Sequence, residues 1–278
     1  MILSYHPCYV ADKNLLCAGR NPGEEDLAAI KDAAAVILPQ GCYQSLYEMA
    51  RNNCRHVFPN FDIRFKYTGK IGQTRLFKEA DVPHPKTEAY QNVGALSKHY
   101  GGFPTKPGCD FPFVFKFDWG GEGDHVYLIK SSEEFINILE TAKNIEKSGQ
   151  TGFIIQEKIP SRNRSLRVVV IGGAYISYWR VQENMEKFGS NIAKGAVIDA
   201  NADSDLQEIG VRSVKDFCCE QKINLAGFDV LFSSEAENKT PFFLEINYFF
   251  GRKGLGGSER FYELLTTEIQ TWLTGIGL

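Results

Sequence analysis

The chain has 278 residues, 43% of them hydrophobic, and a formal net charge of −3, enough for one sizeable packed domain plus a small one. Such a balance excludes a disordered chain and argues against a general nucleic-acid binder. No stretch nears the ~18 consecutive apolar residues of a membrane span, MILSYHPCYVADKN lacks the pattern of a secretory leader, and seven scattered cysteines without a C-x-x-C pair predict reduced thiols in a cytoplasmic protein.

In chain order, AAAVILPQG (33–41) reads as a buried parallel strand, CYQSLYEMARNN (42–53) as an amphipathic helix and HVFPN (56–60) as a short strand. Residues 1–65 therefore predict a small open α/β domain. A helix over 73–80 leads into DVPHPKT, where Pro83 and Pro85 force an extended exit. The segment to Gly108 reads as loop with one short helix. FPFVFKF (111–117) and HVYLIK (125–130) predict a hairpin across the glycine-rich tip DWGGEGD, and Ser131 caps a helix running to about Ile145. Three strands follow at 152–159, 166–173 and 174–181, the last two turning tightly at Gly172-Gly173. A helix over 204–221, strands at 227–233 and 241–248, and a helix over 259–273 complete the chain.

Four groups of residues carry chemistry. In FFLEINYFFGRKGLGG (242–257), Glu245 and Asn247 are two apart in a strand and share a face, with Leu244 and Ile246 expected in the core. Asp229 on the neighbouring strand adds a third oxygen donor, a set suited to a hard cation beside phosphates; a solvated sheet face has the same spacing. Lys116 stands in an apolar strand ahead of Gly120, Gly121 and Gly123, where an ammonium and backbone N–H groups would meet phosphates; an edge-strand lysine reads alike. Gln156, Glu157, Lys158 and Ile159 leave a strand where an adenine edge would fit, or simply end it. Arg167, Arg180, Asn191 and Lys194 form a basic set for phosphate and acyl phosphate, though any one of them also reads as ordinary surface charge.

The succession FKF-x-WGGEG, IIQEKIPSRNRSLRVVVIGG, KFGSNIAKGA, LAGFDVLF and FFLEINYFFG resembles the ATP-grasp ligases, in the branch of the ribosomal-protein glutamate ligase and glutathione-synthetase-like enzymes. The pattern covers about residues 66–257. The resemblance implies an α/β (α+β) ATP-grasp fold in which two subdomains clasp ATP. A shortened small α/β domain, 1–65, would precede an ATP-grasp domain, 66–278, divided near 157 and 158. It implies that Lys70 and Lys116 contact ATP phosphates, that Gln156 to Ile159 hold adenine, and that Asp229, Glu245 and Asn247 hold Mg²⁺ (or Mn²⁺). It places Ser165 at the ribose, Arg167 on the following strand, and Arg180, Asn191 and Lys194 at the reacting phosphoryl group. Arg252 and Lys253 would meet an anionic substrate.

The implied reaction joins a carboxylate to an amine through an acyl phosphate, on small-molecule, peptide or protein-tail substrates. Nucleotide binding without ligation, and phosphoryl transfer without amide formation, use the same site. The chain departs from the family pattern at Ser165, where an acidic residue is usual, and at Gly189, where arginine is usual. It departs again at Tyr248, Phe249 and Phe250, in place of small residues and a proline.

Overall fold

The computed structural model describes residues 1–120, 124–184 and 186–278. The chain opens with β1 (Ile2–Ser4), β2 (Lys13–Asn14), α1 (Glu24–Lys31), β3 (Ala35–Ile37), α2 (Gln44–Asn53) and β4 (Val57–Phe58). The four strands form a parallel sheet in the order β2-β1-β3-β4. At two and three residues, β2 and β1 are too short for an alternating pattern to reveal them.

Next come α3 (Asp62–Lys66), α4 (Gly69–Glu79), β5 (Thr87–Tyr90), α5 (Val93–Tyr100), β6 (Phe113–Phe117), β7 (Val126–Ile129), α6 (Ser132–Glu146) and β8 (Phe153–Glu157). Ser131 caps α6 as predicted, its hydroxyl accepting the Glu134 N–H at 3.2 Å. The strands form an antiparallel sheet, β5-β8-β6-β7. On β6, Phe113, Phe115 and Phe117 pack against Phe135 and Leu139 of α6. The two-residue period of a strand sends Val114 and Lys116 to the opposite face.

The third sheet is β11-β10-β9-β12-β13, antiparallel throughout, built from β9 (Arg164–Ile171), β10 (Ala174–Val181), β11 (Val197–Asp199), β12 (Leu225–Phe232) and β13 (Pro241–Asn247). Helix α7 (Ser204–Gln221) covers one face, where Leu166, Val168, Phe228 and Val230 meet Val214 and Phe217. The other face is divided. Val169 and Ile171 lie beneath the N-terminal sheet and α8 (Ser258–Gly275), while Arg167, on the same side of β9, is left to a cleft.

Residues 1–65 share a core rather than closing one of their own. Leu3, Val36 and Phe58 pack with Phe261, Leu265 and Ile269 of α8, and the Phe58 and Trp272 rings lie 5.5 Å apart. Helix α4 joins the third sheet's core, with Phe77 5.8 Å from Phe243 and 6.1 Å from Phe217.

One expectation is overturned. Leu244 is not a core residue. Asp229 pairs with Glu245, but Val230 pairs with Phe243, so Leu244 is the extra residue of a β-bulge. The bulge breaks the alternation: Phe243 and Ile246 fill the core, while Leu244 and Glu245 both line the cleft.

Candidate active site

A cleft of about 940 Å³ lies between the second and third sheets. Val114, Lys116, Val126 and Leu128 line it from the second sheet, and Arg167, Asp229, Leu231, Leu244, Glu245 and Asn247 from the third. Gly121 and Gly123, expected over the phosphates, lie outside the described residues. The apolar walls were not singled out in the sequence. Their signal is the i, i+2 repeat of Val126 and Leu128, opposite the core-facing Ile129.

The polar floor is a row across the sheet. Register pairs Tyr178 with Arg167, Arg167 with Asp229, and Asp229 with Glu245, so all four share one face. Arg167 grips Asp229 with two bonds, Nε at 2.6 Å and Nη2 at 3.1 Å. Arg180 adds a third contact at 2.6 Å, and the Asn247 amide donates at 3.1 Å. Burial would raise the Asp229 carboxyl, but the two guanidiniums outweigh it and hold the group below the usual carboxylate range. The Arg180 Nε is buried without a hydrogen-bond partner among the described residues. Glu245 and the Asn247 carbonyl oxygen carry no hydrogen bond among the described residues. Two carboxylates and an amide fit a hard divalent cation completed by phosphates and water, and Asp229 would join as its arginines are drawn elsewhere.

Glycines bring this row together. A Cβ on Gly227 would stand 3.0 Å from Arg167 Nη1, and one on Gly254 would stand 2.1 Å from the Tyr178 ring. The glycine-rich loop after β13 thus seats its backbone directly on a buried tyrosine.

Facing the carboxylates are the two lysines. Lys116 is 7% exposed, and its Nζ donates to Gln156 Oε1 at 2.7 Å, while the Gln156 amide donates to the Thr87 hydroxyl. Burial pulls the Lys116 ammonium down to about 8, although Glu245 works in the other direction. Lys70, on the first turn of α4, donates to the Gly120 carbonyl at 3.2 Å. Asp118 at the end of β6 accepts the Ile71 N–H at 2.8 Å, a cap supplied from another element that sequence reasoning missed.

Gln156, Glu157, Lys158 and Ile159 all line the cleft. The Glu157 N–H is already given to the Lys86 carbonyl at 2.9 Å. Ser165 is fully buried. Its hydroxyl takes a bond from Arg180 at 2.9 Å and lies 2.6 Å from the Ser190 hydroxyl, so it orients an arginine. The Asn191 side chain accepts the Ala193 N–H at 2.8 Å and caps a short 3₁₀ turn (Ile192–Lys194). Lys194 lines the cleft and lies 3.5 Å from Asp124 beside the hairpin tip. At the far end, Arg252 lies 4.6 Å over the rings of Phe261 and Tyr262, with no carboxylate partner among the described residues, and Lys253 lines the cleft beside it. Phe249 stands there 64% exposed.

Two antiparallel α+β halves gripping a cleft, lysines on one wall and carboxylates on the other, make up the ATP-grasp fold. Similar solved structures are the RimK domain protein ATP-grasp from Sphaerobacter thermophilus (TM-score 0.64, 14% identity, 96% of this chain and 98% of that) and D-alanine–D-alanine ligase from Bacillus anthracis (TM-score 0.57, 13% identity, 95% and 87%). A third is an ADP complex of N5-carboxyaminoimidazole ribonucleotide synthetase (TM-score 0.59, 12% identity, 90% of this chain and 63% of that). At these identities the likeness is one of fold. No curated protein matches the chain. The chain belongs to the RimK-like ATP-grasp family, whose domain model matches residues 73–263.

Proposed function

We propose that the protein is an ATP-dependent carboxylate–amine ligase. The observation that carries this reading is the convergence of Lys116 on one wall and Asp229, Glu245 and Asn247 on the other around one cleft, with Lys70 lining a small adjoining pocket that Lys116 and Glu245 share. The family membership supports ATP as the nucleotide, as do neighbours named as a ligase and as an ADP complex.

The adenine lies between the apolar residues of the two sheets, and Lys158 and Ile159 meet its edge. Lys70 and Lys116 hold phosphate oxygens. Asp229, Glu245 and Asn247 would hold Mg²⁺ or Mn²⁺, which neutralises charge across the phosphates when bound. The substrate carboxylate attacks the γ-phosphorus, and the bond to the β–γ bridging oxygen breaks, leaving ADP and an acyl phosphate. Arg180 turns from Asp229 to the transferring phosphoryl group, with its Nε, which has no partner among the described residues, available for that bond. An amine then attacks the acyl carbon, loses a proton and expels phosphate, forming the amide. Arg252 and Lys253 hold an anionic group of a small-molecule, peptide or protein-tail substrate. Phe249 sets the shape of that end. All seven cysteines are free thiols, in keeping with a cytoplasmic enzyme.

Glu245→Ala tests the reading. The side chain carries no hydrogen bond among the described residues, so the thermal melt should match the parent while ATP turnover falls about 10²-fold or more. Turnover is read as ADP release with MgATP and a pool of amino acids and small peptides. Parent-like ADP release from the variant removes the metal assignment. Nucleotide binding without amide product in the parent removes ligation.

A further inference from the structure

Strand β13 is the outer strand of its sheet, and its free edge is completed by a side chain. The Gln73 amide nitrogen donates to the Ile246 carbonyl at 2.8 Å, and its oxygen accepts the Ile246 N–H at 2.8 Å. These are the two bonds a neighbouring strand would supply. The turn after α4 adds one more, from the Phe243 N–H to the Pro83 carbonyl at 2.8 Å. Ile246 lies between Glu245 and Asn247 and two residues past the Leu244 bulge.

We infer that Gln73 is a positioning residue for the divalent-cation site, holding β13 in the register that presents Glu245 and Asn247. A bulged edge strand is the kind that slips, and a one-residue slip would send Glu245 to the core face. Gln73 also sits one helical turn after Lys70 on α4. Its amide therefore sets the span between the ammonium that meets phosphate and the carboxylate that meets the cation. Only a planar group with donor and acceptor side by side makes both bonds. The inference rests on the ligase reading.

The test is Mn²⁺ binding in the presence of ADP, measured well below the melting temperature. Gln73→Met keeps the length and removes both bonds. Its Mn²⁺ affinity should fall about 10-fold or more, as expected when a group orienting metal ligands is lost, while metal-free ADP affinity stays at the parent value. Gln73→Glu keeps the acceptor but sets a carboxylate against the Ile246 carbonyl, and should fall at least as far. Parent-like Mn²⁺ affinity in Gln73→Met overturns the inference, even if its melt drops, and so does an equal loss of metal-free ADP binding. Should the variants not fold, hydrogen exchange in the parent decides: the Ile246 amide must be protected, and exchange at the rate of an open edge amide overturns it. Failure of the parent itself to bind Mn²⁺ with ADP strikes the ligase reading, whereas a protected Ile246 amide would still establish the hold on β13.

Discussion

Lys116 is a charge that the fold disfavours. An ammonium in an apolar strand loses hydration, and one bond to Gln156 does not restore it, so the group titrates near 8 instead of the usual 10.4 or so. Two effects follow for the nucleotide-free protein. Between about pH 8 and pH 10 the native state has shed a proton that the unfolded chain keeps, so stability rises with pH across that window. Nucleotide affinity moves the other way, because a neutral lysine attracts no phosphate. Binding of ATP should weaken as pH rises through 8. Lys116→Met should bind more weakly at neutral pH and lack that part of the pH profile, as titration of ATP on either side of the midpoint would show. The oddity of Lys116 was legible in the sequence, since a lone lysine among phenylalanines asks for a partner. Its partner was not legible, because Gln156 lies 40 residues away on a strand whose register only folding decides.

The strands repeat this division. The long elements, such as α6 behind its Ser131 cap, α7 and β10, fall where the local sequence pattern places them, because their signal is local. The bulge in β13 left no trace: Phe242, Phe243, Leu244 and Ile246 are equally apolar, and only pairing with β12 picks Leu244 as the extra residue. Strand β12 carries its own demand at Gly227. An added methyl would meet the guanidinium of Arg167, pinned to Asp229, and the Cβ of Phe250 at 3.1 Å, and neither yields without moving backbone or an ion pair. Gly227→Ala should cost about 1–3 kcal/mol of stability and lower ATP turnover by displacing Arg167. A variant with the parent's melt and turnover would show that the strand relaxes freely.

Across the whole molecule, the N-terminal sheet and α8 form one packed body over the third sheet, so the cleft depends on parts far apart in the chain. Asp26 anchors that body. Its buried carboxylate takes two bonds from Arg20, at 2.5 and 2.9 Å, one from the Gly23 N–H at 2.8 Å, and one from the Tyr5 hydroxyl at 3.0 Å. The Arg20 bonds in the first place hold its carboxyl down to about 2. A depressed carboxyl contributes stability that is complete above the unfolded value near 4 and disappears as pH falls toward 2. Asp26→Asn should cost about 1–3 kcal/mol at neutral pH and flatten the acid limb of the stability profile, which denaturant melts across that range would reveal. By itself the sequence determined the types of the longer elements, the spacing of Glu245 and Asn247 on one strand and the family pattern, because these depend on neighbours a few residues apart. The tertiary structure alone decided which groups meet: Asp229 with two arginines, Gln73 with the edge of β13, Asp118 with the start of α4, and Leu244 with the cleft. Those contacts join residues 47 to 173 positions apart, and chain closure over such spans is set by packing, which no local pattern records.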